Sequence, residues 1–236
     1  MKLLYRLSQI RNALRAAPRA STPLRWVFLY GLPRSGTTYA LDQYMRISRR
    51  GIGDWMMEDF ALTFDRARQR TRQTLDIDRL ADDLRNNLLT NAPIGGGTKF
   101  DIVIKQASAT YREYAFWREL FGTEPERRLF FYREPAGWLA SAKEKFDVHE
   151  ARASAIYQHS FDCFAEIGGL AIDYPETGDQ LASLPEFSGV EMTTFKPRRT
   201  NPSAAPDQMS ESYREFVEQT ANKPWNAQRQ LVLDAA

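Results

Sequence analysis

The chain has 236 residues, 43% apolar and 26% charged, with one cysteine and a formal net charge of +2. That length suits one medium domain able to bury its own core without disulfide or metal staples, and the near-even charge balance argues against a dedicated nucleic-acid binder. Cys163 has no partner for an internal disulfide, no Cys/His spacing suggests zinc, and the longest apolar stretch, Trp26 to Leu32, falls far short of the ~18 residues that span a bilayer.

The charge is unevenly spread. Residues 1–41 hold seven of the 32 bases (Lys2, Arg6, Arg11, Arg15, Arg19, Arg25, Arg34) and none of the 30 acids. A positive field therefore sits at the start of the chain. Leu3, Leu7, Ile10 and Leu14 recur there at helical spacing, so residues 1–24 are read as a basic amphipathic helix. A packed helix is the preferred reading, beside a membrane-surface helix or an Arg-rich transit peptide; the segment lacks the compact apolar core expected of a secretory signal.

Trp26-Val27-Phe28-Leu29-Tyr30 reads as a buried strand closed by Gly31, and residues 37–47 as a helix. The polar stretch from about 58 to 92 predicts two surface helices, broken by Pro93 and Gly95-Gly96-Gly97. Ile102-Val103-Ile104 is a second strand, followed by a helix at 110–121 with Tyr114, Trp117 and Phe121 on one face. Leu129 to Tyr132 is a third strand ending at Arg133-Glu134-Pro135, with helices predicted over 136–146 and 149–167. Gly168-Gly169 break the latter, and Leu170 to Tyr174 is a fourth strand stopped by Pro175. Beyond residue 188 only short helices are expected, near 210–220 and 225–234. Strands separated by helices imply crossover connections. The expected fold is α/β, a three-layer P-loop-like arrangement with a central parallel sheet flanked by helices. It is read as a single domain over 1–236, with its core at 26–188 and an irregular C-terminal region at 189–236.

Between the first strand and its helix lies Gly31-Leu32-Pro33-Arg34-Ser35-Gly36-Thr37-Thr38. Such a turn gathers backbone N–H groups at a helix N-terminus and favours an anion. The spacing matches the nucleoside-triphosphate loop, yet Thr37 stands where that loop requires Lys, and the cation is Arg34 instead. No metal ligand is evident. A second pattern, Leu129 to Ser141, runs strand, Arg133, Pro turn, helix, with Ser141 eight residues after Arg133. Arg133 leaves the carboxyl end of a strand, where open α/β sheets bind ligands, and its fork suits a phosphate.

Together these two stretches resemble the donor-binding loops of sulfotransferases that use 3′-phosphoadenosine 5′-phosphosulfate (PAPS). The resemblance covers residues 26–188. It implies that Pro33, Arg34, Ser35, Gly36, Thr37 and Thr38 form the 5′-phosphosulfate loop, with Arg34 on the transferring sulfuryl group. It further implies that Arg133 and Ser141 hold the 3′-phosphate. Tyr39 occupies a position at which many members pack an aromatic ring on adenine; a core role is the alternative. Lys105 matches a lysine near the leaving oxygen, but Ala107 replaces the histidine that serves cytosolic members as base. Other members use a glutamate beyond the first loop, making Glu58 the candidate base here, with Asp59 as runner-up. A carboxylate among Trp55, Met56, Met57 and Phe60 would be partly desolvated, which raises its pKa. His149 and His159 match no motif and read as ordinary surface or packing residues. Phe195-Lys196-Pro197-Arg198-Arg199 is the nearest basic cluster to a third donor loop, with an exposed charge run as the alternative.

The resemblance implies PAPS as co-substrate, 3′,5′-bisphosphate adenosine (PAP) as product, no metal, and a small-molecule or carbohydrate acceptor. Nucleic acid and a transmembrane segment are not expected, and the location implied is cytoplasmic. The chain is short for the family, which leaves room for an acceptor region supplied by a second subunit of a homo-oligomer. The alternatives are a P-loop small-molecule kinase, which needs Lys after Gly36, and a catalytically degenerate nucleotide-binding protein.

Overall fold

The computed structural model describes residues 23–54, 85–86, 88–146, 149–174, 176–196, 210–212, 214–215 and 218. Residues 1–22 of the expected N-terminal helix, Glu58 and Asp59 with their apolar neighbours, most of the 58–92 helices, Pro175, Pro197 to Arg199 and the 225–234 helix lie outside them.

The described elements run β1 (Trp26–Gly31), α1 (Thr37–Ile47), β2 (Ser48–Ile52), β3 (Phe100–Ala107), α2 (Tyr111–Phe121), β4 (Arg127–Arg133), α3 (Pro135–Phe146), α4 (Glu150–Ile167), β5 (Leu170–Tyr174) and α5 (Thr177–Ala182), then a short 3-10 turn at Pro185–Phe187. The fold is three-layer α/β, with one parallel five-stranded sheet in the order β2-β3-β1-β4-β5 flanked by helices. All four expected strands are present, and so are the helices expected at 37–47, 110–121, 136–146 and 149–167. Two compact units divide the chain, one from Met1–Phe28, Leu41–Lys105 and Arg112–Glu126, the other from Leu29–Ala40, Gln106–Tyr111 and Arg127–Ala236.

In the first unit, the aromatic stripe of α2 does what its spacing predicts. Tyr114, Trp117 and Phe121 are buried. The Trp26 ring meets Phe121 edge-on at 5.1 Å, and Phe121 stacks on Trp117 at 5.7 Å. Trp26 Nε1 donates to the Thr123 carbonyl at 3.1 Å, so the indole is buried with its one donor satisfied. β2 is an element that the sequence reading missed. Its Ser48-Arg49-Arg50-Gly51-Ile52 run has no apolar alternation to announce a strand, and its pairing with β3 makes it one, Arg50 opposite Ile102 and Ile52 opposite Ile104. Segment 93–97 lies along it through an antiparallel bridge between Arg50 and Ile94 and through Gly95 N–H donating to the Arg49 carbonyl at 2.8 Å. Covering an edge in this way blunts it against pairing with another chain.

In the second unit β4 and β5 pair in register from Leu129 opposite Leu170 to Arg133 opposite Tyr174. Phe130 is fully buried, stacked on Phe164 at 4.5 Å and edge-on to Phe161 at 5.1 Å, which seats α4 on the strand. Burying a side chain of that size stabilises by about 1.5–3 kcal/mol. His149 caps α4, its Nδ1 accepting from the Arg152 N–H at 3.3 Å. At the other end the Gly168 N–H donates to the Phe164 carbonyl at 2.8 Å and closes the helix where the sequence expects it.

Candidate functional site

The loop between β1 and α1 is held at several points of its backbone. Leu32 N–H donates to the Phe131 carbonyl at 2.9 Å, and the Pro33 carbonyl accepts from Trp138 Nε1 at 2.8 Å. Arg34 sits at φ +69° and Gly36 at φ +90°. A left-handed arginine costs about 1–2 kcal/mol, tolerated where the surroundings over-determine it. Left-handed residues alternating in a loop are the geometry that turns successive N–H groups toward one anion. Gly36 is needed for a second reason: a Cβ there would lie 2.8 Å from Thr177 Oγ1. Ser35 is fully buried, and its Oγ has no hydrogen-bond partner among the described residues. Thr37, buried, and Thr38, exposed, open α1, whose first turn carries no acid to oppose an anion.

The second motif folds against the same unit. Arg133 is 5% exposed, and its guanidinium carbon lies 4.4 Å from the centre of the Tyr174 ring. Among the described residues it forms no ion pair. Burial pushes its pKa down; Tyr174 and Glu134 pull it up, and Arg34 adds to the lowering. A buried guanidinium ringed by this set is held charged at the expense of desolvation, and a phosphate would relieve it. Glu134 Oε2 accepts from the Gly137 N–H at 2.8 Å, capping α3. A Cβ at Gly137 would collide with that carboxylate and lie 2.9 Å from the Arg133 guanidinium, so this glycine makes room for both. Ser141, half-buried in α3, accepts a hydrogen bond at 3.3 Å from Arg34 Nε. The two arginine motifs are thus brought together, with Arg34 in contact with Ser141.

Tyr39 is half-buried rather than in the core. Its hydroxyl donates to the Thr193 carbonyl at 2.7 Å, and its ring lies 4.7 Å from Phe195. Phe195 in turn meets Tyr174 edge-on at 5.7 Å. A cleft of about 280 Å³ opens beside Tyr39, lined also by Gly178, Asp179, Thr193 and Phe195. Phe195 belongs to the basic cluster that the sequence offers as a third donor loop, whereas Thr193 and Tyr174 carried no sequence signal that ties them to Tyr39. Lys196, next to Phe195, is exposed.

Lys105, in β3, has a side chain only 12% exposed and is ion-paired with Asp54, just past β2. It is therefore a partnered lysine and not a solvated strand-end cation. Asp42 on α1 feels it as well. Burial raises the Asp42 pKa, while Lys105 and Arg46 draw it back. Asp54 was not among the expected site residues, because without β2 the sequence gives no reason to look for a carboxylate at that strand's end. His149 serves as a helix cap, and His159 lies 3.6 Å from Cys163 Sγ.

No helix among the described residues is long and apolar enough to cross a membrane. No protein-family model matches the chain, and no curated protein matches it in sequence. Among solved structures it is similar to the sulfotransferase domain of the olefin synthase from Synechococcus PCC 7002, with a TM-score of 0.46 and 13% identity over 87% of this chain and 98% of that chain.

Proposed function

We propose that this protein is a sulfotransferase that moves a sulfuryl group from PAPS to a hydroxyl or amine of its acceptor. The observation that carries this reading is the hydrogen bond from Arg34 Nε to Ser141 Oγ at 3.3 Å. Arg34 belongs to the loop assigned to the 5′ end of the donor, Ser141 to the motif assigned to its 3′-phosphate. Both phosphates sit on one ribose, so pockets serving them must lie side by side. The Ser35 hydroxyl and the buried Arg133, without a hydrogen-bond partner and an ion pair respectively among the described residues, also fit an anionic ligand.

In this reading Arg34, Gly36, Thr37 and Thr38 bind the 5′-phosphate and the sulfuryl oxygens, with Pro33 and Ser35 shaping the loop. Arg133 and Ser141 bind the 3′-phosphate, and Tyr39, with Phe195 beside it, offers a flat face to adenine. PAPS supplies the sulfuryl group; the acceptor atom forms a bond to sulfur as the bond to the bridging oxygen breaks. The charge that develops on those oxygens is met by fixed donors rather than by reorganising water. Arg34 is the first of them and Lys105 the second. The acceptor's proton goes to a carboxylate, for which Glu58 is the candidate from sequence, with Asp59 as runner-up.

The test is thermal unfolding with adenosine 3′,5′-bisphosphate, without metal, against ATP with Mg²⁺. At ~100 times its dissociation constant the bisphosphate adds about 2.7 kcal/mol. For a chain of this size that is a rise of roughly 5–10 °C. Arg133→Ala is expected to abolish the rise. A larger rise with ATP and Mg²⁺ would overturn the reading in favour of a kinase. Turnover of labelled PAPS with an acceptor panel, lost in Arg34→Ala, separates an enzyme from a protein that only binds.

A further inference from the structure

Neither Trp138 nor Tyr157 belongs to either arginine motif's expected contacts, yet both hold the backbone of one. Trp138, on α3 and 1% exposed, donates through Nε1 to the Pro33 carbonyl at 2.8 Å. Tyr157, on α4 and equally buried, donates through its hydroxyl to the Arg133 carbonyl at 2.8 Å. The two rings meet edge-on with centroids 5.6 Å apart. One aromatic pair therefore grips the peptide that precedes Arg34 and the peptide that follows Arg133.

We infer that Trp138 is a positioning residue for the donor site, setting the orientation of the Pro33–Arg34 peptide and with it the left-handed conformation of Arg34. The inference rests on the sulfotransferase reading for the identity of the ligand. A trans peptide is planar, so its C=O and N–H point in opposite directions. Drawing the Pro33 carbonyl to Trp138 turns the Arg34 N–H to the side away from the indole, the side left to an anion. Arg34 at φ +69° pays a backbone penalty that something nearby must hold in place. Among the described residues the indole N–H is the side-chain donor to that peptide, and Tyr157 packs edge-on against the indole ring.

The variant to make is Trp138→Phe, which keeps an aromatic ring against Tyr157 and removes the donor. Binding of adenosine 3′,5′-bisphosphate is measured by calorimetry, alongside the thermal midpoint without ligand. Leaving the partly buried Pro33 carbonyl without its donor lets the Pro33–Arg34 peptide turn and is expected to weaken the bisphosphate about tenfold. With PAPS, KM for the donor rises and kcat falls with it, because Arg34 both binds the donor and meets the charge that develops in transfer. Tyr157→Phe, which frees the other peptide, weakens binding in the same sense, and the double variant falls short of the product of the two singles because they act through one ring pair. A Trp138→Phe protein that melts earlier but binds the bisphosphate as tightly as the parent overturns the inference and reduces Trp138 to packing. A parent protein that does not bind the bisphosphate overturns the functional reading itself, and the inference with it.

Discussion

Gly36 carries two requirements at one position, and each can be priced. Its φ of +90° disfavours any side chain, and a Cβ would press on Thr177 Oγ1 at 2.8 Å and Cγ2 at 3.1 Å. Thr177 is fully buried, and its hydroxyl donates to the Asp173 carbonyl at 3.3 Å, so it has no room to retreat. Gly36→Ala is expected to destabilise by roughly 2–4 kcal/mol, backbone strain and overpacking together. Urea unfolding measures it; a loss under about 1 kcal/mol would mean that the loop relaxes freely, at odds with a rigid anion cradle. Arg133 shows a different economy. Burial disfavours its charged form, while Tyr174 and Glu134 favour it, and among the described residues it has no ion pair.

At the scale of elements, α1 joins chemistry to stability through Asp42. Burial raises the pKa of its carboxyl above the usual 3.8, with Lys105 and Arg46 opposing. In the window from 3.8 upward to the folded value, the folded state then holds more proton than the unfolded one. Stability therefore falls as pH rises through that window and is highest below it, as far as this group is concerned. Asp42→Asn should remove this falling component; comparing urea midpoints of parent and variant between pH 3 and 6 checks it. A slope that survives the substitution assigns the effect elsewhere. Glu150 works in the opposite sense. Hydrogen bonding from Ser210 holds its pKa below 4.5, so its contribution is present above that value and lost as pH falls through the lower folded one.

For the whole molecule, the sheet order sets which strands open last. β1, β3 and β4 are the three inner strands, and residues 26–30, 102–104 and 129–131 are fully buried. Amide exchange should be slowest there, at the free energy of global unfolding, and faster in β2 and β5 at the edges. Hydrogen-exchange mass spectrometry reads this directly. Exchange in β4 as fast as in β5 would show that the inner strands open by local routes. The adenosine bisphosphate, if it binds as proposed, slows exchange most in 32–40 and 133–141, the segments assigned to it.

The sequence by itself determined four of the five described strands, because β1, β3, β4 and β5 are short, mostly apolar runs bounded by Gly, Pro or charge, and such runs have few places to go but a sheet. It also determined the two arginine motifs, since loop chemistry is local: glycine, hydroxyl and arginine at set spacing after a strand. What only tertiary structure decided was everything made by pairing at a distance. β2 has no pattern of its own and exists through β3, and Asp54 came into view as the partner of Lys105 only once β2 was in place. Thr193 and Phe195 reach Tyr39 across more than 150 residues of chain, as Trp138 reaches Pro33 across more than 100. Periodicity and spacing report what neighbours in sequence must do; hydrogen bonds and ring contacts between distant segments depend on how the chain returns, and no local pattern encodes that.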